Sequence, residues 1–223
     1  MGIAETKIYP INTGWLEADL GTYFFWKGPA GKKYWNPVYC HYVDTGEHKI
    51  LIDTGLCDAE RATQYHHKCD KRGCLEVHDH LEQKLGVHPD EIDAIVFTHL
   101  HWDHVQNMKK FKNARYIAPK GEIEMAYNPL PLYYRTYECG ILDIEPAYAG
   151  CVFEAVEDEC EVLPGITIFH TSAPLDLRAV PSQSSTPDAV SVPVYVACYT
   201  GEQLLMYNSY ETARLKQRCS LPA

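Results

Sequence analysis

The run AIVFTHLHWDHVQN, residues 94–107, passes from a fully apolar segment straight into His99, His101, Asp103 and His104, which together occupy six positions. That junction limits what the chain can become. An unbroken apolar stretch of this length reads as a buried strand, and loops at strand ends are where α/β proteins place their chemistry. Crowded imidazoles repel one another once charged. Neutral imidazole and carboxylate, however, are ligands of zinc, iron and manganese, and a bound metal makes the crowding favourable. At ordinary residue frequencies this pattern arises by chance in on the order of one in ten thousand chains, so a histidine-rich surface loop is the weaker explanation. His99 and His101 alternate and can converge on one metal, while Asp103 and His104, one turn on, can face a second. Such a pair suits hydrolysis: one metal polarises a carbonyl and a shared water becomes hydroxide near neutral pH.

The segments around the junction alternate in type. KIYPINTGWLEAD and PVYCHYVDTG are rich in β-branched and aromatic residues and read as strands; HKILIDTG, after a turn at Thr45-Gly46, adds a buried third. Together they predict antiparallel hairpins. Residues 74–85, CLEVHDHLEQKL, have near-helical apolar spacing with Gly86 as the stop. HPDEIDAIVFTH opens on an acidic, proline-started turn, and VQNMKKF, ARYIAP and KGEIEMAYN read as helix, strand and helix. CVFEAVEDECEVLPGITIFHT predicts further strands with a turn at Pro164-Gly165. Strands and helices in this order make a layered α/β fold, and 223 residues suffice for one domain with a substantial core.

Charge excludes some partners. A formal charge of −10 and a pI near 5.5 oppose nucleic acid and anionic membranes. No apolar run is long enough to span a bilayer, and the N-terminal residues lack the basic start and apolar core of a secretory signal, so a cytoplasmic protein is expected. The nine cysteines include no CxxC pair and read as reduced, scattered thiols. Cys69 and Cys74 with His66 and His67 form a poorly spaced metal knuckle, and the spacing of His66, His67, His78 and His80 suits an exposed helix or loop.

THLHWDH matches the HxHxDH signature of the metallo-β-lactamase superfamily, and ILIDTG, with Asp53, matches the strand and loop preceding it there. The spacing between them, and FKNARYIAPKGEIEMA afterwards, most resemble the branch containing N-acyl-homoserine lactonases. The resemblance runs over about residues 5–171 of a single domain and leaves 172–223 as a divergent Pro/Ser-rich tail. It implies an αββα sandwich with a dinuclear site at one sheet edge, and hydrolysis of a lactone, ester or thioester in a small-molecule substrate. Two divalent ions are implied, zinc first, with iron or manganese as alternatives. Carried over by position, His99 and His101 hold the first metal, Asp103 and His104 the second, Asp103 also serves catalysis, and Asp53 steadies the ligand loop. Tyr133, Tyr134 and Tyr137, in NPLPLYYRTYECG, are expected to form an aromatic wall suited to an acyl chain or small lactone.

The chain departs from that pattern in its last third. The family's HTPGHTPG stretch begins correctly at His170 and Thr171, but its liganding histidine falls at Pro174, and no histidine follows His170. Asp176 and Asp188 are bridging candidates without a recognisable context, and His170 is a candidate substitute ligand. The sandwich is therefore expected to be incomplete in its C-terminal part, and so abrupt a change has the form of a shifted reading frame or splice. Gln106 replaces a common glycine. An impaired family member with an incomplete metal site is the alternative to an active hydrolase. A di-iron oxidoreductase of the same fold is the third reading, disfavoured because its usual flavin domain has no room here.

Overall fold

Strand β1 (Lys7–Asp19) pairs antiparallel with β2 (Lys33–Asp44) along its whole length, and β2 turns at Thr45–His48 into β3 (Lys49–Ile52). The computed structural model describes residues 6–19, 30–157, 160–164 and 166–168. Alternation explains the long pair: Val38, Cys40 and Tyr42 of β2 are buried, while Tyr39 between them is exposed. One irregularity has a purpose. The register shifts between Asn12 and Gly14, leaving Thr13 as the extra residue of a bulge. Its hydroxyl donates to Val38 O and accepts from Leu56 N, tying the loop after β3 to the sheet.

Beyond β3 the chain forms α1 (Ala59–Tyr65) and the short β4 (Cys69–Asp70), which pairs with β1. Next comes α2 (Val77–His80), widened into one π-helical turn over Leu81–Leu85 and closed by Gly86 in the left-handed conformation. The predicted helix over 74–85 is thus real but starts three residues later. Strands β5 (Ala94–Val96), β6 (Arg115–Pro119) and β7 (Glu154–Val156) extend the sheet in parallel, giving the order β4-β1-β2-β3-β5-β6-β7. Helices α3 (Trp102–Val105) and α4 (Lys120–Tyr127) follow β5 and β6. The hairpin β8 (Cys160–Leu163) and β9 (Ile166–Ile168) forms a second, two-stranded sheet.

The large sheet has an apolar cluster on each face. Leu51, Ile95 and Phe97 pack with Val77, Leu81 and Tyr148 on the helical side. Ile50, Ala94, Val96 and Ile117 pack with Ile168 and with Val162 and Ile166 of the hairpin. Double-sided burial is why β5 reads as continuously apolar. Among the described residues, helices on one face and a second sheet on the other supply three of the four layers of an αββα sandwich. The expected gap in its C-terminal part, with His170, Pro174, Asp176 and Asp188, lies outside the described residues. Among the described residues all seven cysteines are free thiols, and no helix is long and apolar enough to cross a membrane.

Candidate metal centre

Parallel strands β3 and β5 end side by side, with Ile52 opposite Val96. Asp53 donates its amide to Val96 O and then turns the chain out of the sheet with φ of 59°. Aspartate tolerates this left-handed conformation only with local support, and three hydrogen bonds supply it. The Asp53 carboxylate accepts from Thr98 N, Thr98 Oγ1 and His104 Nδ1, each at 2.8 Å. Thr54 returns the contact, donating from its amide and hydroxyl to His104 O at 2.7 and 2.9 Å. Gly55 then bridges to Val105 with φ of 68°, and a Cβ there would lie 2.3 Å from Thr13 Oγ1.

The signature residues are brought together. The His99 ring centroid lies 4.3 Å from that of His101 and 3.9 Å from that of His104, and Asp103 Oδ2 is 3.6 Å from His104 Nε2. Outer partners settle which nitrogens face the cluster. Nδ1 of His104 is taken by Asp53 and Nδ1 of His99 by the Thr98 hydroxyl at 2.9 Å, which leaves Nε2 of each ring for the cluster, His104 Nε2 toward Asp103. Burial, followed by the charges of neighbouring histidines, holds His99 and His101 well below the ordinary imidazole range, neutral and able to bind a cation. His104 differs: burial opposes its charge, but Asp103 and Asp53 outweigh it and push the imidazole up to about 9.

Imidazole and carboxylate are side-chain types that bind divalent metal. Among the described residues no group of three or more histidine, cysteine or acidic side chains is arranged to hold an ion. His99 with His101, and Asp103 with His104, would each offer one donor fewer than the three protein ligands usual for catalytic zinc. The poorly spaced knuckle does not form: His66 hydrogen-bonds Glu138 and stacks on Trp102, and Cys69 Sγ donates to His67 O. The expectation that His66 is exposed is also corrected, since it is 8% exposed.

Gln106 does not disturb the loop. Its Oε1 accepts from Cys57 N at 2.7 Å and Asp58 N at 3.2 Å, while Asn107 Nδ2 donates to Thr54 O, so two adjacent amides hold residues 54–58. Sequence reasoning missed Thr98, Asn107 and Glu122. Glu122 of α4 is buried and accepts from Leu100 N, between two of the histidines. Of the three tyrosines, Tyr133 and Tyr134 are half-buried on the loop after α4. Tyr137 departs from the expected wall: it is buried, and its hydroxyl donates to Glu122.

The sequence profile of the metallo-beta-lactamase superfamily matches residues 34–190. The chain belongs to that superfamily. An N-acyl homoserine lactonase of Bacillus cereus is 25% identical over 149 residues, covering 60% of this chain and 53% of the relative. One from Rhizobium johnstonii is 34% identical over 143 residues, covering 57% and 51%. The chain thus spans about half the length of these curated relatives. A crystal structure described as a quorum-quenching N-acyl homoserine lactone lactonase superposes with a TM-score of 0.56 at 24% identity, over 77% of this chain and 65% of that one. A probable metal-dependent hydrolase from Staphylococcus aureus gives 0.60 at 19%, over 75% and 64%. Both support the metallo-β-lactamase fold.

Proposed function

We propose that this chain is a metal-dependent hydrolase of lactone- or ester-type bonds in small molecules, similar to N-acyl-homoserine lactonases, with zinc as the first candidate metal. The observation carrying this reading is the outer set of hydrogen bonds: Asp53 on His104 Nδ1 and Thr98 on His99 Nδ1 leave both Nε2 atoms as donors within one cluster. His99 and His101 would hold one ion, Asp103 and His104 a second. Bound divalent ions supply Lewis acidity toward a substrate carbonyl. The chain's own residues orient and shield. Asp53 keeps a proton on His104 Nδ1, and the buried His99 and His101 exclude water from the inner side. Asp103 and His104 keep 18% and 21% side-chain exposure, so substrate approaches on their side. The half-buried Tyr133 and Tyr134 offer aromatic faces for an acyl chain, and the net charge of −10 disfavours polyanions.

A second reading, an impaired member, is favoured by the absence of a three-donor group among the described residues. Metal per chain separates the two: near two supports the hydrolase, near zero the impaired member. His101→Ala and Asp103→Ala should each abolish metal uptake. Assays with acyl-homoserine lactones, thioesters and nitrocefin test the substrate class, and a preference for nitrocefin would sink the lactonase-like reading.

A further inference from the structure

The loop after α4 meets the ligand loop one residue at a time. Thr136 O accepts from Trp102 N at 3.2 Å. Tyr137 OH donates to Glu122 Oε1 at 2.7 Å, and the same oxygen accepts from Leu100 N at 2.9 Å. The Tyr137 ring also meets that of His101 edge to face, 4.9 Å between centroids. Glu138 Oε1 accepts from Arg61 and from His66 Nε2, and the His66 ring lies flat on Trp102 at 4.3 Å and 4°. Arg135 donates to Tyr65 O and His66 O, fixing the end of α1 against the same loop. We infer that Thr136-Tyr137-Glu138 is a positioning element, holding Leu100, His101 and Trp102 in the geometry from which His101 and Asp103 present their donors. This rests on the metal-binding reading of the signature given above.

Cost argues for more than packing. Glu122 and Glu138 are carboxylates at 5% and 1% exposure, and Glu138 adopts φ of 49°, unusual for a residue with a side chain. Glu138 Oε2 is buried without a hydrogen-bond partner. Apolar residues would fill these positions with less desolvation, and at 138 a glycine would adopt the backbone without strain. What the carboxylates add is direction: Glu122 aims the Leu100 amide, and Glu138 aims the His66 ring that flattens Trp102. A ligand tolerates only about half an ångström of misplacement, and Trp102 lies between two proposed ligands.

The test compares Tyr137→Phe and Glu138→Ala with Tyr116→Phe, which deletes a hydroxyl bonded to Met108 O and Phe111 O instead. Amide exchange is read first, in metal-free protein. Both clamp variants should speed exchange at Leu100 and Trp102 about tenfold or more while β1 and β2 keep their protection, and Tyr116→Phe should not. Zinc affinity, by competition with a chelator, should weaken about ten- to a hundredfold, and the ligand-field spectrum of bound cobalt should change. Unchanged exchange at those two amides, an equal rise in β1 and β2, or an unaltered cobalt spectrum overturns the inference. Failure of the unmodified chain to take up zinc or cobalt overturns the metal reading instead, and the exchange data alone then decide whether the tripeptide orders the loop.

Discussion

Replacing Asp53 with asparagine tests the centre at its support rather than at its ligands. The substitution keeps size and the capacity for a left-handed backbone, so the turn out of β3 should survive. Its amide oxygen can still accept from Thr98 N, but an NH2 group now stands where Oδ2 accepts from Thr98 Oγ1 and His104 Nδ1. Two donors cannot pair. In its neutral form the imidazole relieves the conflict by carrying its proton on Nε2, the nitrogen facing Asp103 Oδ2 at 3.6 Å and the one a metal needs. Loss of a hydrogen bond to a charged group costs about 2 kcal/mol, which lowers the midpoint of a chain this size by about 4–8 °C. Zinc affinity should fall further than stability alone requires, by about ten- to a hundredfold, as for outer partners of metal-binding histidines. Thermal melting gives the first figure, chelator competition the second, and imidazole nitrogen NMR shifts the tautomer. Zinc affinity within about threefold of the unmodified protein, with His104 still carrying its proton on Nδ1, would refute the reasoning.

Three further outcomes follow from named contacts. Gln106→Gly removes the acceptor of two backbone amides and should lower the urea midpoint by the equivalent of about 1–2 kcal/mol; a gain in stability would mean that the buried, unpaired Nε2 of Gln106 outweighs both bonds. Gly55→Ala places a Cβ against Thr13 at a left-handed position and should cost about 3 kcal/mol or more, read as a lower melting temperature or insoluble expression. Burial alone would raise the Glu138 carboxyl, yet the hydrogen bonds from His66 and Arg61 hold it below the usual carboxylate range. Its stabilising contribution is therefore complete above the unfolded value of about 4.3 and is lost as pH falls through the lower folded one; Glu138→Gln should flatten that acid loss in urea titrations at stepped pH, and an unchanged slope would exclude Glu138 as its source.

Strand β1 was legible to the residue, because Ile8, Tyr9, Ile11, Thr13 and Trp15 give Lys7–Asp19 a β-branched and aromatic character. Helix α1 was not read, since Ala62 is its one buried residue and leaves no apolar stripe to detect. Its start was nevertheless written in Asp58, whose side chain caps the amide of Arg61. The clustering of His99, His101, Asp103 and His104 was legible because they are near neighbours in sequence. Glu122 was not: its contact with Leu100 spans 22 residues and leaves no periodic trace. Tyr137 and His66 were read by type, as an aromatic wall and an exposed histidine. Composition shows that a tyrosine has two faces and a hydroxyl, but not that one buried carboxylate will claim the hydroxyl.

Helix α3 is four residues long, far below the ~12 that an isolated helix needs in water. Its order is borrowed across the chain: His104 depends on Asp53 at a separation of 51 residues, and Trp102 on a His66–Glu138 pair separated by 72. Such contacts form only after long loops have closed. The signature can therefore hold its shape only when those distant partners are in place. A peptide of residues 94–107 alone would be structureless, and grafting this motif onto another scaffold would require residues 53–58 and 135–138 to travel with it.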